Sequence, residues 1–391
     1  MLEDINIPEK MTLGVELEVV GAASSYLYGE LLKGFSGKND GTVKDEKYMG
    51  VEIVSPILNS NNACNVLSVA KQLVTLGEYT NKSCGGHVHI GSKYLEVKDD
   101  ECNINEEATK FAWKSLLEMW KSTEEIMYKI TSPAGEEHRG IRYAKPMATK
   151  IESMLKRDDT AMSVYEYKEI IKEKQTEVEP IISERFFSLN LSNLNGGKDT
   201  LEFRLANGTI NPKELKANIE IFASFVDMSR RIGILRYKEK NEVQLTKNEE
   251  ILLEKYEKLT KNLDMGEVER KNALLDILFD NEKREIYDER YEKSSFDLVN
   301  ETHKFEFKQY REQNAYGAEL LDSEIRQVQD YYMQNIIRKR KARFEENDLE
   351  ELVEEVKKNE NPFKKIFARI RSWITNRREN SRNHEKEDLE R

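Results

Sequence analysis

Short runs that alternate between apolar and polar residues mark the first 235 residues of the chain. The runs are LGVELEVVG, MGVEIVSPIL, GGHVHIG, RFFSLNLSNLNGG and TLEFRLANGT, and turn-forming residues separate them. Because successive side chains of a strand point to opposite faces, each run predicts a β-strand with one apolar face. The stretches GFSGKND and NGGKD are rich in Gly, Asn and Asp, so we expect turns there.

Helical periodicity fills the stretches between the predicted strands. We expect helices near residues 62–79, 106–130, 148–175 and 212–235. Asn211 followed by Pro212 is typical of a helix start, since proline suits the first helical turn.

Residues 236–391 differ in composition from the region 1–235. They contain only two glycines, Gly266 and Gly317, and one proline, Pro362, and Glu, Lys, Arg and Leu dominate. Such a composition favours long, exposed helices, so we divide the chain into a region 1–235 and a charged, mostly helical extension 236–391. The extension could gate a site, bind a protein partner or mediate self-association.

One segment of this extension, residues 362–378, is basic and amphipathic. Its apolar residues form one helical stripe: Phe363, Ile366, Phe367, Ile370, Trp373 and Ile374. A stripe of this kind can bind a membrane surface or a partner. Docking of the stripe on the protein itself is the simpler interpretation, and we expect no other membrane contact.

Composition and sequence pattern argue against several classes of protein. The net charge of −11 argues against a nucleic-acid-binding protein, whose binding surface is basic. No run approaches the roughly 18 apolar residues that a membrane span needs, and the first ten residues lack the pattern of a signal peptide. Cys64, Cys84 and Cys102 lack C-x-x-C spacing, which favours a reducing, cytoplasmic location.

Four of the predicted strands carry ionisable residues on one face and apolar residues on the other. These residues are Glu16, Glu18, Glu52, His87, His89, Glu202 and Arg204. A solvated strand face usually carries Lys, Thr and Ser instead. Carboxylates gathered on one sheet repel one another unless cations neutralise them, and oxygen-rich sites with one or two imidazoles suit Mg²⁺ or Mn²⁺. Carboxylates shared between metal ions indicate a site that handles phosphates.

Glycine-rich nucleotide loops are missing from the sequence. It contains neither G-x-x-x-x-G-K-[ST] nor a G-x-G-x-x-G motif after a predicted strand. A nucleotide would therefore be held through metal ions and arginine.

The motifs GVELEV, NDGT, GVEIVSPIL, NKSCGGHVHIG and TLEFRLANGTI, in this order, resemble the amidoligase family, over roughly residues 10–230. These are carboxylate–amine ligases of the glutamine synthetase and glutamate–cysteine ligase superfamily. The resemblance implies an α+β fold in which a curved antiparallel sheet holds ATP and two or more Mg²⁺ or Mn²⁺ ions, with helices packed outside. It also implies that ATP phosphorylates a carboxylate substrate and that an amine substrate attacks the acyl phosphate, which yields an amide.

The resemblance also implies roles for individual residues. The implied metal ligands are Glu16, Glu18, Asp40, Glu52, His87, His89 and Glu202, with Asp45 as a rival to Asp40. The implied catalytic residues are Arg204, which would face the transferred phosphoryl group, Glu52 and His89. Which of His87 and His89 binds a metal ion is left open. Further candidates for contact with substrate or nucleotide are Arg139, Arg142, Arg185 and Asn190.

Two other functions compete with the ligase. The H-V-H pair with nearby glutamates could bind Zn²⁺ in a metal-dependent amide hydrolase. The helical second half could instead indicate a non-catalytic interaction protein with a degenerate ligase fold.

Overall fold

The fold is built around one six-stranded sheet. The computed structural model describes residues 4–21, 34–132, 141–148, 185–195, 197–262, 264–298 and 301. The strands are β1 Leu13–Gly21, β2 Ser36–Asn39, β3 Met49–Val54, β4 Gly85–Gly91, β5 Leu189–Asn190 and β6 Thr200–Asn207. They lie in the order β2-β3-β1-β4-β6-β5, and every neighbouring pair is antiparallel.

Six helices accompany the sheet in the described part of the chain. They are α1 Asn65–Thr75, α2 Glu106–Ile130, α3 Pro212–Lys240, α4 Lys247–Lys261, α5 Glu267–Leu278 and α6 Asn281–Lys293. Short 3₁₀ turns occur at Ser92–Leu95, Ile141–Tyr143 and Ser192–Asn195. The α+β class expected from the sequence is confirmed.

The helices follow the predicted positions closely where the structure describes them. α2 coincides with the prediction 106–130, α1 is shorter than 62–79, and α3 continues past residue 235. Asn211 caps α3 by accepting a hydrogen bond from the Lys213 backbone N–H, with Pro212 in the first turn. The predicted helix 148–175 lies outside the described residues except for Ala148.

Two strand predictions need correction. GFSGKND was expected to be a turn, yet Ser36–Asn39 forms the edge strand β2, because the edge of β3 supplies backbone partners for it. RFFSLNLSNLNGG was expected to be one strand, yet only Leu189–Asn190 pairs with β6, and a 3₁₀ turn follows at once.

The apolar face of the sheet packs against α2 and α3. Phe203 of β6 stacks on Phe222 at 4.5 Å between ring centroids and meets Trp120 edge-on at 5.3 Å. The two helices approach closely at Gly233, where a Cβ atom would lie 2.3 Å from the backbone nitrogen of Ala112. Apolar residues of β1, β3, β4 and β6 are buried in one core with these helices, and the ionisable residues of the strands lie on the opposite face.

The compact packing continues beyond residue 235. The described residues beyond 235 belong to the compact unit Met1–Phe305, in which α4 and α6 pack. Arg236 of α3 bonds Tyr256 of α4, and Arg290 of α6 donates to the Ile130 carbonyl at 2.9 Å. The division drawn from composition, into a catalytic domain 1–235 and an extension 236–391 of unknown role, stays a prediction. The basic segment 362–378 lies outside the described residues, and no helix within them has the length and apolar character needed to cross a bilayer.

Candidate active site

Strand register places the ionisable residues of four strands on a single face. Glu18 lies opposite Glu52, Glu16 opposite His87, and His89 opposite Glu202. Directly paired residues of antiparallel strands project to the same side of a sheet. These residues and Arg204, two positions beyond Glu202, are each at most 8% exposed. The polar face is therefore buried, which is unusual for so many charged groups.

Two glycines at the start of β4 shape one edge of this face. The backbone N–H of Gly85 donates to Oε2 of Glu18 at 2.7 Å. At Gly86 a Cβ atom would lie 3.1 Å from the carbonyl oxygen of Asn207, and the pairing with β6 shifts register between Gly86 and Val88. The glycines thus allow β6 to approach β4 closely and free a backbone donor that orients Glu18.

Glu16 lies at the centre of the face, between the two histidines. Its Oε2 is 3.1 Å from Nδ1 of His87, and its Oε1 is 3.2 Å from Nε2 of His89. Nζ of Lys198 lies 3.8 Å from the same Oε1. Burial raises the pKa of Glu16, but the hydrogen bond from His87 and the electrostatic interactions with both imidazoles outweigh it, so its pKa lies well below the usual range.

Glu202 and Arg204 form one end of the face. The guanidinium forms an ion pair with Oε1 of Glu202 and donates through Nε to the Tyr143 carbonyl at 3.1 Å. Oε2 of Glu202 accepts from Nδ2 of Asn190 and of Asn193, each at 2.7 Å. Burial raises the pKa of Glu202, yet the charge of Arg204, aided by the histidines, lowers it overall. Both side chains are therefore held in fixed orientations.

Glu52 and Lys38 form the other end. Lys38 lies opposite Glu52 in the pairing of β2 with β3, and its ammonium forms an ion pair with Oε2 of Glu52. Burial and the negative charge of Glu16 raise the pKa of Glu52, against the effect of Lys38. Asp40, in the turn after β2, is held by its Oδ1, which accepts from the backbone N–H and the hydroxyl of Thr42 at 2.7 Å.

The face contains three overlapping groups of metal-ligand atoms, each with its atoms within 4.8 Å of one another. The groups are Glu18, Asp40 and Glu52; Glu16, Glu52 and His87; and Glu16, His89 and Glu202. Glu52 and Glu16 each belong to two groups, so either carboxylate could bridge neighbouring ions. Donor sets of carboxylates with at most one imidazole match the preferences of Mg²⁺ and Mn²⁺. The residues present therefore fit the divalent ions that the sequence motifs imply.

The two histidines lie in different groups, so the geometry offers each its own position. Nε2 of His89 is buried and makes no hydrogen bond within the described part of the chain. It lies 3.2 Å from one oxygen of Glu16 and 3.9 Å from one of Glu202. An imidazole nitrogen without a hydrogen-bond partner, directed towards two carboxylates, is suited to bind a cation placed between them.

Asp45 lies apart from these groups. Its carboxylate accepts hydrogen bonds from the backbone N–H groups of Lys47 and Tyr48 and from the hydroxyl of Tyr79 at 2.7 Å. Among the described residues it belongs to none of the three ligand groups, whereas Asp40 does. The geometry therefore favours Asp40 over its rival.

The arginine candidates gather beside Arg204. Arg142 and Arg185 are exposed, and their guanidinium groups lie 5.5 and 4.8 Å from the ring centroids of Tyr143 and Phe186. These two rings meet edge-on at 5.6 Å, and Arg204 lies 6.0 Å from the Phe186 centroid. Arg139 lies outside the described residues.

Sequence reasoning missed four residues of the site: Lys38, Asn193, Lys198 and Thr200. Thr200, whose hydroxyl lies 3.2 Å from Nδ1 of His89, could have been found, because it precedes Glu202 by two positions on the same strand. Lys38 could not, since its strand was taken for a turn. Asn193 lies in a 3₁₀ turn and Lys198 in the loop before β6, and the positions of both segments depend on the tertiary fold.

Comparison with known families gives a match over the first part of the chain. Residues 29–226 match the family model described as "Putative amidoligase enzyme", which covers about half of the chain. The matched range contains Glu52, His87, His89, Glu202 and Arg204, while Glu16 precedes it. The comparison with curated proteins gave no match. The family expected from the sequence motifs is confirmed, and the chain belongs to the amidoligase family.

Proposed function

We propose that the protein is an ATP-dependent carboxylate–amine ligase that forms an amide, as an isopeptide or peptide bond, through an acyl phosphate. The observation that carries this proposal is the buried polar face of the sheet. It holds three carboxylate-rich groups of possible metal ligands, and Arg204 lies at one end of it with its guanidinium bonded to the Tyr143 carbonyl. Membership of the amidoligase family supports a ligase in general. We further propose that the sheet is of the glutamine synthetase type, with its polar face as the nucleotide site.

The chemistry explains why such residues are needed. A carboxylate is a poor electrophile, and its phosphorylation brings several negatively charged oxygens together. Catalysis of phosphoryl transfer therefore consists mainly of positioning and charge neutralisation. In our proposal the three ligand groups would hold Mg²⁺ or Mn²⁺, which would neutralise phosphate oxygens when bound.

The reaction proceeds in two steps. An oxygen of the substrate carboxylate attacks the γ-phosphorus of ATP, the bond to the bridging oxygen breaks, and ADP leaves. The amine nitrogen then attacks the carbonyl carbon of the acyl phosphate, inorganic phosphate leaves, and the nitrogen loses a proton. The products are an amide, ADP and phosphate.

Arg204 is the residue that we assign to the transferred phosphoryl group. Its planar fork of donors suits phosphate oxygens, and its bonds to Glu202 and to the Tyr143 carbonyl fix the direction of that fork. The exposed Arg142 and Arg185 would contact the nucleotide phosphates at the edge of the site. Asn190, expected near the nucleotide, donates to Glu202, so we assign it to holding that carboxylate.

ADP release tests the proposal. The full chain is incubated with ATP and Mg²⁺ or Mn²⁺, with and without pools of amino acids, amines and short peptides. We expect ADP release that depends on a pool and falls at least about 100-fold in Glu16→Gln and Glu202→Gln, because each change removes a charge from the buried face. Glu107→Gln, which alters the exposed Glu107 of α2, is the control.

Three outcomes would reject the ligase. They are the absence of ATP binding and turnover with every pool, equal turnover in both variants and the wild type, or amide hydrolysis that requires zinc and no nucleotide. The last outcome would favour the metal-dependent hydrolase.

A further inference from the structure

Lys38 differs sharply from Arg204 in its exposure to solvent. Its side chain is 64% exposed, although its ammonium forms an ion pair with Glu52, whose side chain is 8% exposed. The side chain of Arg204, at the opposite end, is 10% exposed and is held by Glu202 and the Tyr143 carbonyl. One end of the face thus has a buried cation, and the other has an exposed one.

Glu52 is also the carboxylate that two ligand groups share. It contributes to the group with Glu18 and Asp40 and to the group with Glu16 and His87. A divalent ion in either group would lie close to the Lys38 ammonium and would repel it, since like charges at such distances interact strongly when partly desolvated. Lys38 can leave at little cost, because it sits on an edge strand and its long stem is exposed.

We propose that Lys38 is an exchangeable counter-ion of Glu52. Without divalent ions the ammonium neutralises Glu52; when the ions bind, it is released from Glu52 and turns to a phosphate oxygen of the nucleotide. Lys38 would then oppose metal binding to the free protein and favour nucleotide binding to the metal-loaded protein. This inference rests on the proposed function, because it assumes that the face binds divalent ions and a nucleotide.

Direct binding measurements on the full chain test the inference without knowledge of the substrates. Mn²⁺ binding is followed by electron paramagnetic resonance at pH 8, and binding of a non-hydrolysable ATP analogue is then measured at saturating Mn²⁺. We expect Lys38→Met to bind Mn²⁺ about fivefold more tightly in the absence of nucleotide, since one competing charge is gone. We expect the same variant to bind the analogue about fivefold more weakly.

Two other lysines provide controls. Lys198→Met removes a similarly exposed ammonium that lies 3.8 Å from Glu16, and we expect a smaller gain in Mn²⁺ affinity because its contact is longer. Lys71→Met, on the exposed side of α1, should change neither affinity. An equal gain in Lys38→Met and Lys198→Met would indicate a general effect of net charge and would overturn the specific exchange.

The remaining outcomes separate the inference from the proposed function. If the wild-type protein binds Mn²⁺ and the analogue but Lys38→Met binds Mn²⁺ no more tightly, the counter-ion role is wrong while the ligase proposal stands. If Mn²⁺ binding tightens and analogue binding is unchanged, the phosphate contact is wrong. If the wild-type protein binds neither, both proposals are wrong.

Discussion

The Glu124 carboxylate joins three parts of the chain behind the polar face. It lies on α2, is 1% exposed, and accepts hydrogen bonds from the backbone N–H groups of Met147 at 2.7 Å and Ala148 at 2.9 Å. It also accepts from the Ser188 hydroxyl and from Nε1 of Trp120. All four donors are buried, so they depend on this carboxylate.

Glu124 also acts on the site through the segment 141–148. That segment supplies the Tyr143 carbonyl, to which Arg204 donates. Tyr128, one helical turn beyond Glu124, bonds the Ala144 carbonyl of the same segment. We therefore expect loss of Glu124 to loosen the segment and to release one of the two bonds that orient Arg204.

The expected loss of stability depends on how many hydrogen-bond donors lose their acceptor when Glu124 is replaced. A buried donor left without a partner costs about 1–3 kcal/mol, and the four costs are not independent, because the loosened segment lets some donors find water. We expect Glu124→Ala to lower the free energy of unfolding by about 4 kcal/mol. Glu124→Gln retains one acceptor oxygen and turns an N–H towards the others, so we expect a loss of about 2 kcal/mol.

Urea unfolding of the full chain measures these losses, and hydrogen exchange across residues 141–148 locates them. The control is Glu107→Ala on the same helix, which breaks an exposed ion pair with Lys240 and should cost at most about 1 kcal/mol. A loss below about 1 kcal/mol in Glu124→Ala, or unchanged exchange across the segment, would refute the reasoning.

Three further predictions follow from the same structure. Gly233→Ala should destabilise the fold by about 2 kcal/mol, although alanine favours helices, because the added methyl group meets the backbone of α2; urea unfolding checks this, and a gain in stability would contradict it. Asp45 raises the pKa of Tyr79 to about 12 through their hydrogen bond, so this bond stabilises the fold below about pH 10 and is lost as pH rises through about 12. Asp45→Asn should return the tyrosine pKa towards 10, as measured by NMR of labelled tyrosine with Tyr79→Phe for assignment; an unchanged pKa would contradict it. In Mn²⁺ titrations, Glu16→Gln should impair two binding positions and Glu202→Gln one, and equal losses would contradict the shared role of Glu16.

The polar face could be predicted from the sequence because strand alternation has a period of two. Once Leu17 and Phe203 are assigned to the core, Glu16, Glu18 and Glu202 must point to the other side. What alternation leaves open is the order of strands and their register. The division of the histidines between two ligand groups follows only from the pairing of β4 with β1 and β6.

The edge strand β2 could not be predicted because its sequence, SGKN, has low strand propensity and no apolar face. It forms through backbone pairing with β3, which is a tertiary effect. A similar limit applies after β5, where the backbone N–H of Ser192 donates to Oδ1 of Asn190 at 2.9 Å. That side-chain bond competes with strand pairing and turns the chain, which brings Asn193 to Glu202.

The charged residues of the polar face are not explained by a contribution to the stability of the fold. Five carboxylates, Glu16, Glu18, Asp40, Glu52 and Glu202, lie on this face with three Lys and Arg side chains, Lys38, Lys198 and Arg204, and with His87 and His89. Burying ion pairs costs desolvation that their attraction often fails to recover, and apolar residues of similar size commonly stabilise a fold at least as well. The opposite face, with Trp120, Phe203 and Phe222 in contact, already supplies an apolar core for the same strands. Our proposal of bound divalent ions accounts for this surplus of carboxylates over Lys and Arg side chains, since such ions would neutralise the carboxylates, and the overlap of the three ligand groups would place the ions close together.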